Sequence, residues 1–224
     1  SITLAPLPRL HSMRVLGSLA PLVATIALRC AAPPTAMTSP PHRPKVVVFD
    51  LDGCLWYPEM YMLWSGGAPF SVREDGDLSD TSGKRVYLLG DLRRILYELK
   101  TAPEWQGVVV AIASCTDEPS WARECMRKLE VGPRGSGVCI DDCIQQEHIF
   151  KGSKQRHFER IADATGAALE DMLFFDNERG NCVDVSGLGA TVAWVPNGVT
   201  AGAWEQSLAR FPQPGEIFDF RMGG

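Results

Sequence analysis

The sequence has no long run of basic residues, and acidic residues outnumber basic ones. Lysine and arginine total 22 against 27 aspartate and glutamate residues, which gives a formal net charge of −5. A surface that binds nucleic acid needs clustered positive charge, so we expect no nucleic-acid partner. A membrane span is not expected either, because the apolar stretch from Val15 to Leu28 is too short and is broken by Pro21.

The seven cysteines have no regular spacing, and one of them must stay unpaired in any full set of disulfides. We therefore expect buried free thiols in a reducing compartment. Cys139 and Cys143 could hold a metal ion, but no second cysteine pair and no nearby histidine pair completes a zinc site. With 45% apolar and 8% aromatic residues, the chain can still bury a packed core.

The first 49 residues contain no aspartate or glutamate. Arginines scattered through an acid-free N-terminus are typical of an organelle transit peptide, so we expect a chloroplast or mitochondrial location. A secretory signal beginning at Met13, with Ala31-Ala32 as its cleavage region, is the alternative, and a cytoplasmic location stays open. We predict that residues 1–43 form a targeting segment and proline-rich linker, and that residues 44–224 form one domain.

Apolar runs alternate with amphipathic segments along the rest of the chain. We predict strands at 45–49, 107–114, 172–175 and 191–195, a further short strand at 138–140, and helices at 90–100, 119–130, 153–166, just after 177, and at 200–210. Such alternation predicts a parallel sheet with helices on both faces, which is a three-layer α/β/α sandwich. Residues 57–87, rich in Gly, Ser and Asp, are expected to form a small flap over the end of the first strand, or else a surface loop with its own apolar anchors.

Polar side chains follow three of the predicted strands at the point where each strand ends. Asp50 and Asp52 end the first strand, Ser114 ends the second, and Asp176 with Asn177 ends the third. Ligands of open α/β sheets bind outside the carboxyl ends of the strands. We therefore expect these groups to share one site, together with a lysine at the start of the following helix. Lys154 is the candidate, with Lys151 as its rival.

These residue types suit the chemistry of a phosphate monoester. Such a dianion repels an attacking carboxylate unless positive charge screens it, and Mg²⁺ prefers hard oxygen ligands such as those of Asp50 and Asp176. Asp50 could then attack phosphorus and form an aspartyl-phosphate. Asp52 could protonate the leaving oxygen and later activate water. Taken alone, Asp-x-Asp is also typical of a turn that ends a strand.

The same residues resemble the haloacid dehalogenase superfamily of phosphohydrolases, and within it the magnesium-dependent phosphatase (acid phosphatase) family. The resemblance extends from about Pro44 to Phe211. It is carried by Val48-Phe49-Asp50-Leu51-Asp52, Leu55-Trp56, Ala113-Ser114, Gly152-Ser153-Lys154, His157-Phe158-Glu159-Arg160 and Phe174-Phe175-Asp176-Asn177-Glu178-Arg179 with Asn181, and by the later stretch to Asn197-Gly198.

The resemblance implies a largely capless fold and gives each site residue a role. Asp50 would be the nucleophile and Asp52 the general acid and base. Mg²⁺ would lie on Asp50, the backbone carbonyl of Asp52, Asp176 and Asn177. The phosphate would be bound by Ser114 and Lys154 with the backbone of Leu51 and Cys115. The implied substrates are small phosphomonoesters, sugar phosphates and phosphotyrosine.

Three residues depart from the family pattern. Cys54 stands where threonine is common, so a hydroxyl near the nucleophile is replaced by a weaker hydrogen-bonding thiol. Asn177 replaces a second aspartate, which predicts weaker Mg²⁺ binding. Cys115 replaces a basic residue, so only its backbone N–H can serve the phosphate.

Other classes of function are weighed against this hypothesis. No cysteine is followed by arginine six positions later, as a cysteine phosphatase requires, and no glycine-rich loop ends in Lys-Ser or Lys-Thr, as a P-loop requires. A phosphotransferase would differ only in its acceptor. A catalytically silent binding or regulatory protein that keeps the fold is the main alternative. His148 and His157 are interpreted as surface or packing residues, and the oligomeric state is left open.

Overall fold

The computed structural model describes residues 42–222. The predicted targeting segment lies outside the described residues except for its last two positions, so that segment and the organelle location remain predictions. Within residues 42–222 no helix is both long and apolar enough to cross a membrane.

The domain is built on a six-stranded sheet in the order β10-β9-β8-β1-β6-β7, and every neighbouring pair in it is parallel. This confirms the predicted α/β class. The strands of this sheet are β1 (Val46–Phe49), β6 (Val109–Ser114), β7 (Gln146–Ile149), β8 (Met172–Asp176), β9 (Thr191–Trp194) and β10 (Ile217–Asp219).

Helices cover both faces of the sheet, and two apolar clusters of buried side chains separate the layers. One cluster contains Val47 and Phe49 and the other contains Val46 and Val48, because successive side chains of β1 point to opposite faces. The helices are α1 (Leu92–Thr101), α2 (Pro119–Lys128), α3 (Ile140–Cys143), α4 (Lys154–Thr165), α5 (Arg179–Ser186) and α6 (Ala201–Arg210).

The ends of α4 follow the signals present in the sequence. The Ser153 side chain accepts a hydrogen bond from the backbone N–H of Arg156, as an N-cap does. Gly166 ends the helix with φ of 68°, a left-handed conformation that favours glycine. The N-cap at Ser153 makes Lys154 the first residue of the helix, and this sets the position of the Lys154 backbone.

The stretch between β1 and α1 forms the predicted flap rather than an irregular loop. It contains a four-stranded antiparallel sheet in the order β2-β5-β4-β3, and no large cap domain is inserted there. The strands are β2 (Trp56–Tyr57), β3 (Ser71–Val72), β4 (Leu78–Ser79) and β5 (Arg85–Leu88).

Two strands of the six-stranded sheet, β7 and β10, were not predicted, and the predicted strand at 138–140 was wrong. β7 has the sequence Gln-Glu-His-Ile and lies at the sheet edge, so it lacks the apolar run of a central strand. β10 is only three residues long and lies at the other edge. Residues 138–140 form no strand, because Cys139 makes only an isolated bridge to Glu130 and Ile140 begins α3.

Candidate active site

The carboxyl ends of three adjacent strands bring the predicted polar residues together. β1 lies between β6 and β8, with Phe49 in register with both Ile112 and Phe175. The residues that follow in each strand are therefore neighbours at one edge of the sheet. A cavity of about 220 Å³ opens there. Its lining residues are Asp50, Asp52, Glu59, Tyr61, Ser114, Cys115, Thr116, Asp117, Lys154, Asn177, Glu178 and Asn181.

Lys154 lies between two carboxylates at the floor of this cavity. Its ammonium is 2.5 Å from Asp50 Oδ1 and 3.1 Å from Asp176 Oδ2, and it also donates to the carbonyl of Ala113. Burial alone would lower the pKa of Lys154, but the charges of Asp50 and Asp176 outweigh it and raise that pKa. Lys154 therefore stays charged. Lys151 instead pairs with Asp117 on the exposed surface, 2.5 Å away, so the structure favours Lys154 over its rival.

Asp52 is held at the flap side of the cavity. Its Oδ1 accepts hydrogen bonds from Trp56 Nε1 at 2.8 Å and from the backbone N–H of Met60 at 3.2 Å. Burial raises the pKa of Asp52, and the charge of Asp50 adds to the rise, although hydrogen bonds from Thr116 and Trp56 oppose it. A raised pKa keeps a carboxyl protonated to higher pH, as a proton donor requires.

Ser114 and the strand-end backbone provide hydrogen-bond donors beside Asp50. Ser114 is 1% exposed, and its Oγ accepts from the N–H of Thr116 at 3.3 Å, which leaves the hydroxyl hydrogen free to donate. The backbone N–H groups of Leu51 and Cys115 donate no hydrogen bond to any of the described residues. These donors suit the oxygens of a bound phosphate.

The corner at the end of β8 offers oxygen ligands of the kind that Mg²⁺ prefers. Asp176 Oδ1 accepts from the N–H of Glu178 at 2.7 Å, and Asn181 Nδ2 donates to both carboxylate oxygens. Burial, and then the charge of Asp50, raise the pKa of Asp176. Asn177 Oδ1 is buried without a hydrogen-bond partner among the described residues. Such an unsatisfied oxygen is costly unless a ligand contacts it.

The donor set at this corner therefore fits a hard cation held by few carboxylates. No group of three or more His, Cys, Asp or Glu side chains within residues 42–222 is arranged to hold a metal. An ion here would instead use the carboxylates of Asp50 and Asp176 with the amide of Asn177 and the backbone carbonyl of Asp52. Mg²⁺ commonly takes one or two carboxylates and completes its shell with water and substrate oxygens.

The two unusual cysteines make their hydrogen bonds away from Asp50. Cys54 is fully buried, and its Sγ donates to the carbonyl of Phe175 at 3.4 Å. Cys115 Sγ donates to the carbonyl of Gly152 at 3.1 Å. Burial raises the pKa of both thiols, so they stay protonated. All six cysteines in the described part of the chain are free.

Sequence reasoning missed part of the site. The missed residues are Thr116, which contacts Asp52, and Glu59 on the flap. Their segments have no apolar or capping pattern that points to a function. The sequence left two interpretations of Trp56 open, a pocket lining and ordinary packing. The side chain is fully buried, and its indole N–H donates a hydrogen bond to Asp52. Trp64 is 85% exposed and lines no part of this cavity.

A larger cavity of about 630 Å³ lies near the amino end of β6, lined by residues between Leu99 and Val109 together with Gln145. Glu104 does not line it, so Lys100 is the one ionisable side chain of its lining. It therefore lacks the paired acid and base groups that a catalytic site needs. The smaller cavity at the strand ends is the candidate active site.

A parallel sheet with Asp-x-Asp at the end of a central strand, and a lysine paired with the first of these aspartates, defines a phosphohydrolase of the haloacid dehalogenase class. A sequence model of the family described as Acid Phosphatase matches residues 42–214. The chain belongs to this family of phosphatases, as its sequence motifs predicted.

Curated relatives agree with this assignment. Human magnesium-dependent phosphatase 1 is 33% identical over 168 residues, which cover 75% of this chain and 87% of the relative. A HAD-like hydrolase superfamily protein of Schizosaccharomyces pombe is 33% identical over 150 residues, covering 66% of this chain and 83% of the relative.

Among solved structures, the N-terminal part of a Bacteroides fragilis protein, which contains a phosphatase domain and is complexed with Mg, superimposes with a TM-score of 0.49. It is 15% identical and covers 78% of this chain and 42% of that chain.

Proposed function

We propose that this protein hydrolyses small phosphomonoesters in a Mg²⁺-dependent reaction that passes through an aspartyl-phosphate on Asp50. One observation carries the proposal: Asp50 and the charged Lys154 are paired at 2.5 Å on the floor of a cavity that also contains Asp52, whose pKa is raised by burial. A nucleophile, a fixed positive charge and a proton donor thus face the same small volume.

In the first step, a carboxylate oxygen of Asp50 attacks phosphorus, and the bond from phosphorus to the leaving oxygen breaks. Asp52 donates its proton to that oxygen, so the leaving group departs as an alcohol. Lys154 and the hydroxyl of Ser114 hold phosphoryl oxygens, and free backbone N–H groups at Leu51 and Cys115 add further hydrogen bonds.

In the second step, Asp52 is a carboxylate and takes a proton from a water molecule. That water attacks phosphorus, the bond between phosphorus and Asp50 breaks, and inorganic phosphate is released. The same residue thus acts first as acid and then as base, which returns the site to its starting state. The hydrogen bonds from Trp56 and Met60 hold the Asp52 carboxyl in one orientation for both steps.

Asp50, Asp176, Asn177 and the Asp52 carbonyl would hold the ion. When bound, Mg²⁺ supplies positive charge that screens the phosphate dianion from the Asp50 carboxylate. The unsatisfied oxygen of Asn177 supports an ion at this corner, and so does the name of the human relative, a magnesium-dependent phosphatase.

The small cavity supports a small leaving group, such as that of a sugar phosphate or of phosphotyrosine. Its mouth is formed partly by the flap, where Tyr61 lines the cavity and is 52% exposed. Within residues 42–222 no large cap domain covers the opening, so a bulky group could extend into solvent.

The test is turnover of a generic aryl phosphate by the full chain, with Mg²⁺ and with excess chelator. We expect turnover that the chelator abolishes and that added Mg²⁺ restores. Turnover that is unchanged by the chelator would contradict the metal requirement. A folded protein that turns over no phosphomonoester with Mg²⁺ present would instead favour a silent binding protein.

Asn177→Asp is expected to strengthen Mg²⁺ binding, because it adds a negative charge where the amide oxygen now lies without a partner. Ligand charge tunes the affinity of such sites, so the Mg²⁺ concentration for half-maximal activity should fall by about tenfold. Calorimetric titration with Mg²⁺ gives a second readout. Gln206→Glu adds the same charge on the exposed side of α6 and is the control. An unchanged Mg²⁺ requirement in the Asn177 variant would refute the idea.

A further inference from the structure

His157 is a fully buried imidazole on α4 that the proposed reaction does not use. It lies one helical turn after Lys154, and its ring stacks on Phe150 with centroids 3.9 Å apart and planes within 3°. A backbone carbonyl also lies within hydrogen-bond distance of each ring nitrogen.

Three carbonyl oxygens face the two ring nitrogens. Nε2 lies 3.1 Å from the carbonyl of Ser114 and 3.1 Å from that of Phe150, and Nδ1 lies 2.9 Å from that of Ser153. Carbonyl oxygens only accept hydrogen bonds, and a neutral imidazole carries one ring hydrogen, so only one of the two nitrogens can donate. Burial lowers the pKa of His157, which favours the neutral ring. We assign its single hydrogen to Nε2, where two acceptors converge.

These partners belong to three different elements of the site. Ser114 ends β6 and is a proposed phosphate ligand, Phe150 follows β7, and Ser153 caps the helix that begins with Lys154. The Ser114 carbonyl also accepts from the N–H of Phe150 at 3.1 Å. His157 therefore ties the strand end that carries Ser114 to the helix that carries Lys154.

We propose that His157 is a positioning residue for phosphate binding, which holds Ser114 and Lys154 at the spacing that a phosphoryl group requires. This inference rests on the proposed function. It differs from the interpretation of His157 as a packing residue, because the effect is exerted through the hydrogen on Nε2 and not through the volume of the ring.

His157→Phe separates these two roles, because phenylalanine keeps the stacking on Phe150 and removes the donor. Ser114 and Lys154 contact the phosphate both in the bound substrate and in the transition state. Displacing them therefore weakens the binding of both states equally, which raises KM and leaves kcat nearly unchanged. The dissociation constant for inorganic phosphate and the KM for an aryl phosphate should both rise about tenfold, the factor expected for one lost hydrogen bond, with kcat changed less than about threefold.

His157→Gln keeps a side-chain N–H and should recover part of the loss, with phosphate binding weakened about threefold. The control is His148→Gln on the neighbouring strand β7, whose Nε2 has no hydrogen-bond partner among the described residues. It should leave phosphate binding unchanged. If the phenylalanine variant does not fold, the comparison of the two glutamine variants decides.

The measurements are calorimetric titration of the full-length protein with inorganic phosphate in Mg²⁺, and steady-state kinetics with the aryl phosphate. A folded His157→Phe with unchanged phosphate affinity and KM would overturn the inference, as would an equal loss in His148→Gln. A fall in kcat alone would also overturn it. A wild-type protein that neither binds phosphate nor turns over the ester would instead overturn the proposed function.

Discussion

Asp50→Asn is expected to lower the turnover of an aryl phosphate by at least about 10⁴-fold, an effect of the size seen when a covalent nucleophile is removed. The asparagine amide has nearly the same shape but is a poor nucleophile, so no aspartyl-phosphate forms. The change also removes one of the two negative charges that surround the Lys154 ammonium. Steady-state kinetics with saturating Mg²⁺ measure the loss.

Asp163→Asn is the matched control for this variant, because it makes the same chemical change at an exposed position of α4. It should keep full activity. Thermal unfolding of both variants separates lost chemistry from lost folding. Residual turnover within about tenfold of the wild type in a folded Asp50→Asn protein would rule out Asp50 as the nucleophile.

Asp52→Asn is expected to lower turnover by about 10²–10⁴-fold, the usual range for loss of a general acid and base. The rates of the two steps, phosphorylation of Asp50 and hydrolysis of the aspartyl-phosphate, should not fall equally. An activated aryl leaving group needs little protonation, so the attack by Asp50 can still proceed. The second step needs a base for water, so the phosphorylated protein should accumulate.

A rapid-mixing experiment tests this division. The Asp52→Asn variant should release the aryl alcohol in a burst of about one equivalent per protein, followed by slow turnover. For a phosphate ester with a poor leaving group, the burst should vanish, because the first step then needs the acid. A variant with wild-type turnover, or with the same loss for good and poor leaving groups, would speak against the role of Asp52.

Much of the fold could be predicted from the sequence because its signals are local. The apolar run from Val46 to Phe49 predicts a buried central strand, and Ser153 with Gly166 marks both ends of α4. β7 could not be predicted in this way. Three of its four residues are polar, since an edge strand is only partly buried. Its pairing with β6 stabilises the strand, and that pairing is not visible in the sequence of β7.

The candidate site could likewise be predicted only in part. Because strands of a parallel sheet end at one edge, the polar residues at the strand ends indicated that Asp50, Ser114 and Asp176 belong to one site. The contacts between side chains could not be predicted, because they join distant parts of the chain. Lys154 meets Asp50 across 104 positions, and His157 meets Ser114 across 43. A histidine with buried carbonyl partners has no sequence pattern of its own.

The central claim is that Asp50 carries the phosphoryl group during turnover. The most direct test is to mix full-length Asp52→Asn protein with an aryl phosphate and Mg²⁺, quench with acid during the burst, and locate the modification by peptide mass spectrometry. We predict one phosphoryl group on Asp50, and none when Asp50 is also replaced by asparagine. A burst with the phosphoryl group on another residue, such as Cys115, or on no residue of the protein, would contradict the account.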